Sequence, residues 1–415
     1  MAFPPVSRRH FIQSSGRALA AVGAAALPAA KLLGQNPSVT LPFENGEREL
    51  VRYPQKRALI RRTTRPPQLE TPFAIFDEGV ITPNDAFFVR YHLAGSPPPR
   101  ELLEPGNFRV QVLGKVATPL KLSVEDLRSQ FEPVEVVAVN QCSGNSRGFF
   151  QPRVPGGQLG HGAMGNAKWK GARLSDVLKK AGLAAEAKQV LFNGLDAPPV
   201  PTVPDFLKAI DVEQALHPDL LLAYEMNGAP LPWLNGFPLR LVVPGHYGTY
   251  WVKHLHEITV LDEPFKGFWM DPAYRIPDTE CAAIEPGTTP QRTVPISRFN
   301  VRSFITSLAD GATVRTGAET AVRGIAFDGG YGIREVLFSE DDGATWRAVT
   351  LGADLGKFSF REWTIPFTAK KPGDCKLRVK ATNRLGQSQP LDPLWNPAGY
   401  MRNVVETVRV VAEPA

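Results

Sequence analysis

Cys142 stands in the run Asn140-Gln141-Cys142-Ser143-Gly144-Asn145-Ser146-Arg147, directly after the apolar stretch 134–139. A cysteine at the end of a strand, with a guanidinium five residues on, is placed to be a thiolate, because a nearby positive charge lowers thiol pKa. Thiolates are soft donors and suit transition metals. Alone, such a cysteine is more often a small buried hydrophobe. A second group, Phe87-Phe88-Val89-Arg90-Tyr91-His92, lies upstream. In an extended segment Arg90 and His92 share one face. A guanidinium presents a planar fork suited to oxyanions. The bland alternative is an edge strand with solvated basic residues.

These groups need elements to hold them. Residues 36–70 are rich in proline and charge, show no clear period, and read as an extended arm. From 71 to 285 apolar runs mix with helical segments. Residues 108–113, 134–139, 190–192 and 239–243 read as strands, and 174–181 as a short helix stopped by Gly182. The glycine-rich loop 156–160 is long, and long loops inside a compact domain usually carry function. Past residue 293 the texture changes. Alternating runs recur at 301–306, 320–327, 334–339, 346–350, 376–381 and 404–411. Turn signals separate them at Asp328-Gly329-Gly330, Asp342-Gly343 and Pro372-Gly373. Short strands so spaced predict a β-sandwich, expected to be immunoglobulin-like. The expected class is α+β. The expected segments are a signal over 1–35, a catalytic domain over 36–290 and a sandwich over 291–415.

Bulk composition narrows the function classes. The chain has 415 residues, 43% apolar and 21% charged, which fits a folded soluble protein rather than a disordered or fibrous one. Net charge is +6, but residues 1–35 hold Arg8, Arg9, Arg17 and Lys31 and no acid, so without them the balance falls to +2. No basic run is dense enough for nucleic acid. Ser7-Arg8-Arg9-His10-Phe11-Ile12, followed by an alanine-rich stretch over 18–30, reads as a twin-arginine export signal. That stretch is too short and weakly apolar to span a bilayer. The expectation is a periplasmic protein exported already folded, often around a cofactor. The three cysteines, Cys142, Cys281 and Cys375, form no CxxC or CxxCH. This argues against a c-type haem on the chain and against a cysteine-rich zinc or iron–sulfur site. A Cys281–Cys375 disulfide is possible but not implied. His254-x-His256, with His246 nearby, is a poor zinc signature without further ligands.

Taken in order, the Phe88–His92 segment, the Cys142–Arg147 run, Phe192-Asn193-Gly194-Leu195-Asp196, Leu222 through Gly228, Gly236 through Gly245, and Val252-Lys253 resemble the sulfite oxidase family of molybdopterin enzymes. Residues 156–169 and Ala273-Tyr274-Arg275-Ile276-Pro277-Asp278 look like its bacterial sulfite dehydrogenase branch rather than the animal enzymes, whose fused haem domain this chain lacks. The resemblance implies a molybdenum–molybdopterin cofactor with Cys142 as the thiolate on the metal. It implies a pterin pocket from Phe88, Val89, Arg90, Tyr91, His92, Asp196, Asn235, Arg240, Trp251, Val252 and Lys253. Arg90 and Arg147 would hold the anionic substrate. Tyr274 would be the tyrosine near the metal oxo group, and Tyr274 and His92 would each orient water and tune that oxo by hydrogen bonds. Arg361 would be an arginine sent in by the second domain.

The implied reaction is oxidation of sulfite to sulfate. Side chains do not store two electrons, so a metal cofactor is the natural carrier. Electrons would leave for an external c-type cytochrome, either free or held as a subunit. A homodimer through the sandwich is plausible. The alternatives are a sulfane-sulfur dehydrogenase component, a periplasmic methionine sulfoxide reductase, and a non-enzymatic exported binding protein.

Overall fold

The computed structural model describes residues 37–41 and 45–414, so the twin-arginine segment lies outside the described residues. The chain is mostly strand. Among the described residues the α-helices are Val124–Gln130, Leu174–Ala181 and Val212–Ala215, so the helical share is smaller than an α+β class leads one to expect. The high proline content is the physical reason, since proline breaks helix interiors. Ser123 caps the first helix with a reciprocal capping box to Asp126. The second stops at Gly182, at φ 73°, whose N–H reaches the carbonyls of Leu178 and Lys179.

Three sheets build the part that holds the Cys142 loop. The first is an antiparallel meander, Ser38–Leu41, Gly46–Val51, Leu59–Thr63, Gln68–Glu70 and Val89–Arg90. The arm expected over 36–70 is therefore a sheet, and its last strand carries Arg90. The second runs in the order Lys208–Asp211, Gln189–Gly194, Leu255–Leu261, Val110–Gly114, Leu120–Leu122. The third contains Leu221–Met226, Met164–Arg173 and Pro133–Gln141, with Arg240–Val242 pairing Leu221–Met226. Pro133–Gln141 pairs Met164–Arg173 along its whole length, ending at Gln141 opposite Met164, and Cys142 follows at once. The Cys142 N–H continues the ladder to the Ala163 carbonyl at 2.9 Å. A fully paired strand is thus the rigid base from which the cysteine projects.

Beyond residue 300 two sheets face each other. One runs Arg302–Ile305, Glu319–Phe327, Arg361–Thr368, Thr350–Leu351. The other runs Ala312–Arg315, Thr407–Glu413, Gly373–Asn383, Ile333–Ser339, Arg347–Ala348. Val322, Phe338, Trp363, Leu377 and Val379 fill the space between them. The run expected over 346–350 is two short strands on opposite sheets. The strand Arg361–Thr368, where buried Trp363, Ile365 and Phe367 alternate with Glu362, Thr364 and Pro366, lies outside the runs expected from sequence. Asp341 closes the expected turn by accepting from the Thr345 N–H at 2.8 Å. All three cysteines are free thiols, Cys142 buried and Cys281 exposed. Among the described residues no helix is long and apolar enough to cross a membrane.

Candidate active site

One cavity gathers most of the residues singled out from sequence. Phe88, Arg90, His92, Cys142, Asp196, Asn235, Arg240, Trp251, Val252, Lys253 and Tyr274 line it. Arg90 comes from the first sheet and Arg240 from the third, and the others come from segments between strands far apart in the chain. Strand alternation explains why Val89 and Tyr91 do not line it. Phe88, Arg90 and His92 face the cavity, whereas Val89 and Tyr91 pack in a small core with Leu59, Leu69 and Leu234. Tyr91 acts one layer out, its hydroxyl 2.7 Å from His254 Nε2. His254 is buried there with its pKa pushed down to about 3 by burial, and its Nδ1 lies 2.7 Å from the Phe237 carbonyl. It is a packing residue, which disposes of the zinc reading.

Around the cavity the charge is lopsided. Arg90, Arg240 and Lys253 line it against a single carboxylate, Asp196. Burial pushes Lys253 down to about 7 and Arg240 down to about 9. Lys253 donates to the Arg90 carbonyl at 2.7 Å, and Arg240 to the Asn235 and Trp251 carbonyls. Asp196 is raised by burial, against the pull of Lys253. Two further lysines escaped sequence reading. Lys56 is held by the Asn84 and Phe87 carbonyls and by Asn235 Oδ1, and burial takes it to about 7. Lys208 donates to the Trp269 carbonyl at 2.6 Å beneath the rings of Tyr250 and Tyr274, and burial takes it to about 7 as well. A lysine inside the buried strand Lys208–Asp211 is the signal that could have revealed the second.

His92 and Tyr274 meet at the cavity wall. His92 Nε2 shares a hydrogen bond with the Tyr274 hydroxyl. The imidazole stacks on Phe206 at 3.8 Å and 10°. Burial holds its pKa well below the usual value, and Arg90, Lys253 and Lys208 push the same way, so the ring is neutral. Burial raises the Tyr274 phenol, which stays protonated. Tyr274 sits at φ 60°, a left-handed conformation uncommon for an aromatic residue and associated with functional sites.

Arg147 does not line this cavity but lies against its wall. Its guanidinium stands 4.9 Å over the Tyr400 ring, and Tyr400 in turn stacks on Tyr274 at 5.5 Å and 4°. Added Cβ atoms at Gly144, Gly156 or Gly399 would come within 2.8 Å of the Arg147 side chain, so these glycines make room for it. Arg361 is elsewhere. It sits on the sandwich strand Arg361–Thr368 and pairs with Asp354 at 3.2 Å. Arg361 does not line the cavity. The later half of the chain contributes the segment around Tyr400 instead, and the Met401 N–H reaches the Ser143 carbonyl at 3.4 Å.

The chain's own chemistry fits an anionic, polar cofactor. Asn140 Oδ1, Ser143 Oγ, Arg240 Nε and Thr249 Oγ1 are buried without a hydrogen-bond partner, and all four residues line the cavity. Each such atom costs about 1–3 kcal/mol if left unmet, so a hydrogen-bonding ligand is the economical explanation. Among the described residues no group of three or more His, Cys, Asp or Glu is placed to hold a metal.

Comparison with known proteins agrees. Residues 95–269 match the oxidoreductase molybdopterin binding domain, and residues 293–413 the Mo-co oxidoreductase dimerisation domain. Cavity and matches together define a molybdopterin-binding oxidoreductase. The chain is 34% identical over 382 residues to mitochondrial sulfite oxidase of Homo sapiens, covering 88% of this chain and 67% of that protein. It is 30% identical over 385 residues to sulfite oxidase of Arabidopsis thaliana, covering 87% of this chain and 96% of the plant protein. In fold it is similar to the sulfane dehydrogenase SoxCD from Paracoccus pantotrophus, with a TM-score of 0.71, 22% identity, and coverage of 95% and 96% of the two chains. The chain belongs to the sulfite oxidase family, and its cofactor is the molybdenum cofactor.

Proposed function

We propose that this chain oxidises sulfite to sulfate, with Cys142 as the protein thiolate on molybdenum. The observation that carries the reading is the convergence of Cys142, Arg90, His92 and Tyr274 on one cavity whose charged lining residues are three cations against one carboxylate. The bound cofactor would supply the two-electron oxygen-atom transfer that side chains lack. Arg240 and Lys253, with Lys56 behind Asn235, hold its anionic groups. Asn140, Ser143 and Thr249 give their unmet hydrogen bonds to its polar edges. Arg90 and Arg147 draw the oxyanion in by charge-assisted bonds. Neutral His92 and the Tyr274 phenol orient substrate and water, and can pass a proton along their shared hydrogen bond.

Relatives named sulfite oxidase at 30–34% identity support sulfite over a sulfane sulfur, since the likeness to SoxCD concerns the fold. A c-type cytochrome is the proposed acceptor, because this chain supplies no second redox site among its described residues. The dimerisation-type match over 293–413 supports a homodimer. The Arg8-Arg9 motif supports export in folded form to the periplasm.

Metal analysis of protein exported by its own signal, paired with sulfite-dependent cytochrome c reduction, tests the whole. Molybdenum near one per chain with sulfite-dependent reduction is expected. Molybdenum without that reduction would move the substrate to the sulfane class.

A further inference from the structure

Arg147 is gripped from both sides by charged residues of the sandwich. Before it, Ser146 Oγ accepts from Arg302 Nη1 at 3.1 Å and lies 2.7 Å from His161 Nδ1. After it, the Phe149 carbonyl accepts from Arg402 Nη1 at 3.2 Å. Both arginines converge on Glu406. Arg302 Nη2 reaches it at 3.3 Å, and Arg402 donates to its two oxygens at 3.2 and 3.1 Å. Arg302 is 1% exposed. Burial would raise the Glu406 carboxyl, but Arg402, His161 and Arg302 bring it below its usual value, so it is charged.

The gripped segment is a strained one. Ser146 has φ 69°, a left-handed conformation that serine adopts at a cost. Its N–H is tied to the Gly160 carbonyl at 2.6 Å. His161 lies flat on Phe149 at 4.2 Å and 5°, closing a ring of contacts around residues 146–149. A strained residue persists only where its surroundings over-determine it. The direction in which Arg147 leaves the backbone depends on that turn.

We infer that Glu406, through Arg302 and Arg402, is a positioning residue for Arg147, so that the sandwich sets the affinity of the site for its oxyanion. The inference rests on the reading of Arg147 as an oxyanion-binding group. The site thereby gains a dependence on the second domain that does not require that domain to touch substrate. Misplacing a bidentate fork by a fraction of an ångström weakens an oxyanion contact while leaving the cofactor untouched.

The test is a mutant cycle on the cofactor-loaded full-length enzyme, read by steady-state kinetics with sulfite and by calorimetric titration with inorganic sulfate. Glu406→Gln and, as the milder change, Ser146→Ala are each expected to raise KM for sulfite and Kd for sulfate roughly tenfold, with most of the effect on KM rather than kcat. Arg147→Gln is expected to weaken both constants at least as much. Glu406→Gln added to Arg147→Gln is expected to add nothing, because its effect passes through the missing guanidinium. Equal losses in the single and double backgrounds, or a Ser146→Ala enzyme with wild-type KM and Kd, would overturn the positioning role and leave the anion-binding role of Arg147 intact. An Arg147→Gln enzyme with wild-type Kd for sulfate would overturn both.

Discussion

The Tyr274 hydroxyl is hydrogen-bonded to His92 Nε2, while the Tyr274 ring lies parallel to Tyr400 and 5.0 Å from the Lys208 ammonium. The pair joins residues 182 positions apart in the chain. One partner leaves the edge of the first sheet and the other is held at a positive φ in a loop. Tyr274→Phe keeps the ring, the stack and the ammonium contact, and removes only the hydroxyl. A hydrogen bond of this kind is worth about 1 kcal/mol. kcat/KM for sulfite is therefore expected to fall by roughly five- to tenfold, with the thermal midpoint nearly unchanged. An unaltered kcat/KM would remove the hydroxyl from the reaction.

Cys142 is 8% exposed at the end of a fully paired strand, so Cys142→Ser is nearly isosteric and leaves the ladder intact. The variant is expected to fold normally by circular dichroism and to lose sulfite oxidation. The pterin is expected to remain, because Arg240, Lys253 and the unmet polar atoms still hold it. Fluorescence of the released pterin checks retention, and elemental analysis follows the metal. Wild-type turnover in Cys142→Ser would refute the thiolate assignment.

The parts of this architecture readable in advance were those with a local signature. The apolar stretch before Cys142, the glycine stop after residue 181 and the turn-separated strands past residue 300 all sit near where periodicity and turn chemistry put them. The meander at 38–70 was not readable, because its strands are short and charged and gain their order from pairing with neighbours rather than from an apolar face. In the site, the alternation that placed Arg90 beside His92 also places Val89 and Tyr91 on the opposite face. Lys56, Lys208 and Tyr400 reach the site region only through long-range packing, which no window of sequence contains. The second domain's contribution was expected at Arg361 and lies at Tyr400, because the loop after the strand Gly373–Asn383 folds back against Ser143.

Arg361 supplies a negative control. Its guanidinium is paired with Asp354, which is itself about half exposed, and pairs of this kind contribute about 0–1 kcal/mol. Arg361→Gln is expected to leave KM for sulfite and kcat within about twofold of the parent. A KM increase as large as that of Arg147→Gln would mean that the arginine reaches the anion after all.

The buried lysines make cofactor loading visible as a pH effect on stability. Lys56, Lys208 and Lys253 have folded pKa values near 7, against 10.5 for the ordinary side chain. Below pH 7 each is charged in both the folded and unfolded states, and the folded state bears the full cost of burying the charge. Between pH 7 and 10.5 the unfolded chain holds more protons than the folded one, so stability rises with pH. An anionic cofactor reverses the preference by giving Lys253, and Lys56 behind it, a counter-charge that keeps them protonated. Cofactor-free protein is therefore expected to gain thermal stability from pH 7 to about 9.5, a window that ends before ordinary tyrosines titrate near 10. Loaded protein is expected to show a much flatter profile over the same range. The comparison needs only melting curves of the two forms in matched buffers. A flat profile for the cofactor-free form would mean that water or a bound anion already neutralises the burial cost, and the cationic lining could not then be what selects the cofactor.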